Sequence, residues 1–382
     1  MNTFYEFFAG GGMAGAGLGT SWQCLFANDI CEKKAASYRE NFTSDHLVVG
    51  DVFNVHAGQL PGRADLAWGS FPCQDLSLAG AGRGLEGNRS GAFWGYWNVI
   101  RALNDDGRKP RIVVLENVFG TLTSHEGRDF EQIALALASE GYVFGAMVVD
   151  AVHFTPHSRP RLFVIGIAAD LSLPAMICAQ GPTPAWHPDA VIRAFNRLPR
   201  HVQSVWRWWN PPMPTVRTGT LDEIIEAEPS GVKWNSDEQT QILLSMMTDV
   251  NRRKVLQAQR LGALKVGTIY RRTRCGVQRA EVRFDGIAGC LRTPAGGSSR
   301  QTIMVVDGPN IRTRLISPRE AARLMGLPDS YRLPTRYNDA YQLLGDGVVV
   351  PVVAHLSTHI LSPLLDANQS NDRRITDERQ SA

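Results

Sequence analysis

Gly69-Ser70-Phe71-Pro72-Cys73-Gln74 follows an apolar, strand-like run at 64–68, and its reading decides the rest of the chain. Proline fixes φ and has no N–H to give a ladder, so it stops the strand and seats Cys73 on a turn. In an open α/β fold such a turn lies at the carboxyl edge of the sheet, where these folds hold their ligands. An isolated cysteine is more often a small buried hydrophobe. A reactive thiol at Cys73 therefore has to be argued from the chain around it.

Working outward, short apolar runs alternate with longer amphipathic ones over 3–168, the pattern of a mostly parallel sheet with helices on both faces. The spacing predicts strands at 4–8, 23–27, 47–49, 64–68, 111–115, 142–149 and 162–167, with helices at 13–18 and 32–41. Over 170–314 that rhythm breaks into a stretch rich in Pro, Trp and Arg (Trp206, Trp208, Trp209, Pro211, Pro212, Pro214). A second domain of irregular architecture is expected there. A helix at 317–326 opens on Ser317-Pro318 with Glu320 at capping-box spacing, and 348–361 returns to apolar helix. The expected division is 1–173 with 335–365, then 174–334, then a polar disordered tail over 366–382.

A chain of 382 residues exceeds one small core and predicts about two domains. Its 43% hydrophobic and 20% charged content is that of an ordinary soluble globular protein. No run of about 18 apolar residues marks a membrane span, and MNTFYEFFAG lacks the basic start of a signal peptide. Six scattered cysteines without a Cys-x-x-Cys pair argue against a zinc ribbon or a disulfide framework, and for a reducing cytosol with no metal site. The net charge of +3 hides an asymmetry, since 251–320 holds 15 Lys and Arg against 4 Asp and Glu. That is the electrostatic footprint of a polyanion partner, with a solvated basic face as the plainer alternative.

Three successive strand ends carry chemistry. Phe8-Ala9-Gly10-Gly11-Gly12 joins the first strand to a helix, where glycines let a ligand approach the backbone and the helix amino end favours a carboxylate. Asn28-Asp29 ends the second strand, where an acid commonly grips ribose hydroxyls, and Asp51-Val52 follows the third. This is the layout of an adenosine site, although each acid alone is more often a helix cap. No Lys follows the glycines at P-loop spacing, which argues against a triphosphate. At the next strand ends, Glu116-Asn117-Val118 brings a carboxylate to face Cys73, and Arg159 and Arg161 alternate just before the strand at 162–167. A thiol paired with an acid suits attack on an electron-poor ring whose nitrogen is protonated at the same time. The arginine forks suit a base oxygen or a phosphate.

Phe-x-Gly-x-Gly, Phe-Pro-Cys-Gln, Glu-Asn-Val, Arg-x-Arg and Arg-Glu-Ala-Ala-Arg-Leu-Met-Gly-Leu-Pro occur in that order. On these motifs the chain resembles the bacterial DNA (cytosine-5)-methyltransferases of restriction–modification systems, everywhere except about 175–310, where that family varies its target-recognition region. The resemblance implies a Rossmann-like methyltransferase fold and S-adenosylmethionine as cofactor. It implies that Cys73 attacks C6 of a flipped-out cytosine in duplex DNA, that Glu116 holds the base at N3 and its amino edge, that Arg161 lies near O2, and that Arg159 orients this site or its loop. Phe8, Gly10, Gly11, Gly12, Asp29, Ile30, Asp51, Val52, Pro72, Asp346 and Val348 would surround the cofactor. The segment 74–91, rich in glycine, would be a lid over DNA, with Gln74, Ser77 and Arg83 touching it alongside Arg271, Arg272 and Arg274. Thr215-Val216 and Thr220-Leu221 are candidate Thr-aliphatic pairs of the family kind. A monomer acting in the bacterial cytosol is implied, with a cognate endonuclease acting on the same sequence without a stable complex.

Several positions depart from the family pattern. Glu6 stands where Asp is usual, Ile30 where an aromatic often stacks on adenine, and His157 where Gln is usual. Gly345-Asp346-Gly347-Val348 replaces Gly-Asn-(Ala or Ser)-Val. Two other readings compete: an RNA cytosine-5 methyltransferase of the same fold, and a non-catalytic DNA-binding regulator. The long 170–316 region disfavours the first, and the intact Cys73, Glu116, Arg159 and Arg161 disfavour the second.

Overall fold

The computed structural model describes residues 1–72, 91–215, 217, 219–274, 276–292 and 300–368. The chain divides into two compact units, Met1–Val149 with Pro160–Pro214 and Val352–Ala382, and Asp150–Arg159 with Thr215–Pro351.

The first unit is built on β1 (Asn2–Phe7), α1 (Met13–Leu18), β2 (Trp22–Asp29), α2 (Glu32–Asn41), β3 (Leu47–Val49), β4 (Leu66–Gly69), α3 (Ala92–Asp105), β5 (Ile112–Val118), α4 (Arg128–Ser139), β6 (Tyr142–Asp150) and β7 (Pro160–Ala168). The sheet order is β3-β2-β1-β4-β5-β7-β6. The pairs from β3 through β5 are parallel, and β7 runs antiparallel to β5. Central strands read as unbroken apolar runs because both faces are covered: Leu66, Ala67, Trp68 and Ile112 to Leu115 are all buried. The order in which strands are added reverses between β1 and β4, so the sheet has its topological switch point where the glycine turn and the Phe71-Pro72 turn leave it.

The division departs from the one expected from sequence. After β8 (Cys178–Ala179), α5 (Asp189–Arg197), α6 (Arg200–Ser204) and β9 (Trp208–Trp209), the segment to Pro214 still belongs to the first unit. The physical reason is aromatic burial. Trp206 joins Phe130 and Phe144 in the main core, and the Val205 carbonyl accepts from Phe144 N at 3.0 Å. A Cβ on Gly145 would sit 1.8 Å from the Arg207 carbonyl oxygen, so only glycine lets this segment close on β6. Trp206 and Trp209 are core anchors and not surface aromatics awaiting a nucleic acid.

The second unit holds α7 (Leu221–Ile224), α8 (Asp237–Ser245), α9 (Asp249–Arg260), β10 (Lys265–Arg274), β11 (Val277–Arg283), β12 (Thr302–Asp307), β13 (Asn310–Leu315), α10 (Pro318–Leu324) and α11 (Tyr337–Asp346); α12 (Val350–Leu356) follows. It is not irregular: its four strands form an antiparallel sheet in the order β11-β10-β12-β13. Arginines on the solvent side hide the alternation in the sequence, but Ile269, Ala280, Val282, Met304 and Val306 meet Val255 and Ala258 of α9 in one core. The helix at 317–326 is present as α10, and Ser317 Oγ accepts from Glu320 N at 3.1 Å as the capping box requires. The helical stretch Tyr337–Asn368 is long and apolar enough to cross a membrane, yet 56% of its apolar 18-residue part is buried, as in a core helix.

Candidate active site

The glycine turn after β1 is backbone-determined. Phe8, Gly10 and Gly12 have φ of 58°, 57° and 75°, a left-handed region that glycine enters freely and phenylalanine does not. A Cβ on Gly12 would lie 2.5 Å from the Phe42 ring, whereas at Gly10 nothing lies within 4 Å, leaving room for a ligand against the backbone. Asp29, at the end of β2, is buried and joins this turn to the start of α2: Gly10 N donates to its Oδ2 at 2.8 Å and Cys31 N to its Oδ1 at 2.7 Å. Asn28 Nδ2 donates to the Val48 and Gly50 carbonyls at 3.0 Å each, fixing the end of β3. There Asp51 accepts from Phe53 N at 3.1 Å and stays exposed. Val52 is buried, while Ile30 is 69% and Phe53 52% exposed, two apolar side chains in water beside the strand ends. An open turn, two carboxylates and an exposed apolar pair fit an adenosyl group with a carboxylate tail.

Beneath the turn lies Glu6, wholly buried in β1. Burial pushes its carboxyl up to about 8; the Gly15 and Ala14 N–H groups pull it down, and Asp29 pushes it up again. The neutral acid is therefore the form that sits under the glycines at physiological pH.

On the other side of the switch point, β5 and β7 assemble the acid and one arginine. Antiparallel register pairs Val118 with Arg161 and Glu116 with Phe163. Side chains two apart share a face, so Glu116 and Arg161 meet. Arg161 Nε lies 3.3 Å from Glu116 Oε1, with side chains 15% and 8% exposed. Asn117 points to the opposite face and ties the neighbouring turn: its Nδ2 donates to the Phe71 carbonyl at 3.1 Å, and its Oδ1 accepts from Val118 N at 2.8 Å and Thr121 Oγ1 at 3.2 Å. Phe71 and Pro72 are thereby set beside β5, and Cys73, next in the chain, lies outside the described residues, as do Gln74, Ser77 and Arg83.

Arg159, expected with Arg161 and read as orienting this site or its loop, makes its contacts within the second unit. It is 2% exposed. Its Nη1 donates to the Leu291 carbonyl at 3.0 Å and meets Cys290 Sγ at 3.5 Å, while Nη2 donates to the carbonyls of Gly345 and Gly347 at 2.8 and 2.7 Å. A guanidinium so engaged clamps the turn that carries Asp346 and Val348. His157 serves the same segment, its Nε2 accepting from Leu291 N at 3.1 Å. Arg271 and Arg272 are exposed on β10; the backbone of Arg274 ends that strand. Sequence reasoning missed Asn117 as an anchor, although it sits inside the Glu-Asn-Val motif, and it missed Phe53, for which the sequence offers no signal beyond an aromatic after Asp51-Val52.

A family profile described as C-5 cytosine-specific DNA methylase matches residues 2–362. Among curated proteins the chain is 26% identical to the Type II methyltransferase M.HpaII of Haemophilus parainfluenzae over 382 residues, covering 95% of this chain and 90% of that one. It is 24% identical to M.HhaI of Haemophilus parahaemolyticus, covering 94% of each. Among solved structures, the Entamoeba histolytica methyltransferase EhMeth superposes with a TM-score of 0.61 at 15% identity, covering 95% of this chain and 99% of the other. A putative prophage DNA modification methyltransferase from E. coli gives 0.58 at 16% identity, covering 96% and 100%. These two likenesses establish the fold.

Proposed function

This chain belongs to the C-5 cytosine-specific DNA methylase family and is a DNA (cytosine-5) methyltransferase, and we propose that it works through Cys73, Glu116 and Arg161 with S-adenosylmethionine bound against Phe8, Gly10–Gly12, Asp29, Ile30, Asp51, Val52 and Pro72. Bound there, the cofactor supplies an electrophilic methyl group. The cytosine must leave the stack, which costs a few kcal/mol, and phosphate contacts from the basic 251–320 segment offset that cost.

The Cys73 thiolate forms an S–C6 bond while Glu116 shares its proton with N3, and the ring electron pair moves to C5. Carbon 5, otherwise a poor nucleophile, is then able to take a methyl cation; a base removes the C5 proton, the S–C6 bond breaks to return the thiolate, and N3 gives its proton back to Glu116. Arg161 holds the Glu116 carboxyl in place and offers a donor to the base oxygen. The observation that supports this reading most is the 3.3 Å Glu116–Arg161 contact at the sheet end that Asn117 ties to Phe71, two residues before Cys73. We further propose a monomer that protects host DNA from an endonuclease of the same specificity.

The test is bisulfite sequencing of plasmid DNA from cells expressing the gene, beside a Cys73→Ser variant and a duplex with 5-fluorocytosine at the target. Methylation should appear at one motif, vanish in the variant, and give way to a covalent adduct at Cys73 with the fluorinated duplex. An adduct at another cysteine, or activity retained in Cys73→Ser, would refute the assignment. Methylation of transfer RNA in place of the plasmid would favour the RNA reading.

A further inference from the structure

The hairpin of β10 and β11 runs past the sheet that carries it. Strand β12 pairs with β10 only from Lys265 to Ile269, whereas β10 and β11 stay paired out to Arg274 and Val277. On the other side, backing from α8 and α9 ends near Ala280, whose N donates to the Met246 carbonyl at 3.1 Å. Beyond those points Arg271, Arg272 and Thr273 on one strand and Val277, Gln278 and Arg279 on the other are all exposed. The result is a protruding two-stranded ribbon with solvent at its side chains, and the major groove of B-DNA, about 12 Å wide, admits such a ribbon.

Its charge pattern is unfavourable in the free protein. Register sets Arg272 directly across from Arg279, on the same face as Tyr270 and Glu281. Like charges directly opposed destabilise a strand pair. Glu281 relieves this only in part: its Oε2 is 3.8 Å from Arg272 Nε, with side chains 36% and 49% exposed, and exposed pairs contribute little. Arg279 has no hydrogen-bond or ion-pair partner among the described residues. A polyanion laid against the ribbon would relieve this repulsion.

We infer that Arg272 and Arg279 are specificity-determining residues, inserted from the β10–β11 ribbon into the major groove of the target duplex, where each fork takes O6 and N7 of a guanine. The inference rests on the DNA-methyltransferase reading and adds which residues choose the sequence. Glu281 and Tyr270 set the Arg272 fork: the ring centroid lies 6.0 Å from the guanidinium carbon. Arg271 lies on the other face of the ribbon.

Selection of bound duplexes from a random library, with wild type and with Arg279→Gln and Arg272→Gln, tests this without requiring methylation. Wild type should enrich a motif with guanine at two defined positions. Each variant should lose preference at one of them by about ten- to hundredfold and keep the rest of the motif. Both substitutions are on exposed side chains and remove one of two opposed charges, so the melting temperature should hold or rise slightly, and the salt slope should fall by less than about one unit. Uniform weakening across all sequences with a slope change of about one would make these arginines phosphate contacts and overturn the inference. An unchanged motif would overturn it equally, by making the ribbon a solvated face. A library result as expected, from a protein that leaves no 5-methylcytosine in plasmid DNA, would instead count against the catalytic reading.

Discussion

Asn117 reaches across from β5 to the Phe71 carbonyl at 3.1 Å, so the strand that carries the acid also fixes the turn that leads to the thiol. The same side chain accepts from Val118 N and Thr121 Oγ1. Asn117→Ala would leave a buried carbonyl and a backbone N–H unsatisfied, a cost of about 1–3 kcal/mol. We expect a lower melting temperature and a turnover number that falls by tenfold or more, while the KM for DNA changes little. Unchanged turnover in a stably folded variant would show that the Phe71 turn holds itself.

Glu116→Gln keeps the shape of the acid and removes its proton chemistry. General acid participation is typically worth about 10²–10⁴ in rate, so single-turnover methylation should slow by at least about a hundredfold with near-normal DNA affinity. A variant that keeps more than a tenth of wild-type rate would mean that Glu116 serves only to neutralise Arg161.

Asp29 accepts from Gly10 N of the glycine turn at 2.8 Å and from Cys31 N, at the start of α2, at 2.7 Å. Asp29→Ala strands both donors, and calorimetry should show the S-adenosylmethionine dissociation constant raised about tenfold or more, with DNA affinity nearly constant. Unaltered cofactor affinity would place the ligand elsewhere.

Glu6 links stability to pH. Its folded-state pKa is raised from 4.5 to about 8, mainly by burial, so the folded chain holds a proton that the unfolded chain has released between those values. Stability should therefore fall as pH rises through this window and level off above it, by an amount on the order of a few kcal/mol. Glu6→Gln should flatten that slope in denaturant titrations from pH 5 to 9. An identical slope in the variant would assign the dependence to other groups.

Most of the first unit was legible because buried parallel strands and covering helices leave different periods in a sequence. The helix Glu32–Asn41 and the strand Leu47–Val49 fall at their expected bounds. The strand-end residues were legible too, since turn chemistry is local: Gly10, Gly12, Asp29 and Glu116 sit where the motifs put them. What escaped was non-local. Nothing in the sequence near Trp206 says that it packs on Phe144, 62 positions earlier, and nothing near Arg159 says that its forks close on carbonyls at 291, 345 and 347. The β10–β11 sheet escaped because half of each strand is arginine-rich ribbon, whose solvent exposure removes the alternation by which strands are recognised.

Strand β7 enters the sheet between β5 and β6, although β6 precedes it in the chain. The native neighbour of β6 is thus a strand that follows it in the chain, and the same later strand covers the edge of β5. Arg161 is the second residue of that late strand, so the Glu116–Arg161 pair forms only when the wedge is driven home. In chain order the acid on β5 comes before the arginine on β7, so a chain cut before residue 160 holds Glu116 without the Arg161 that pairs with it.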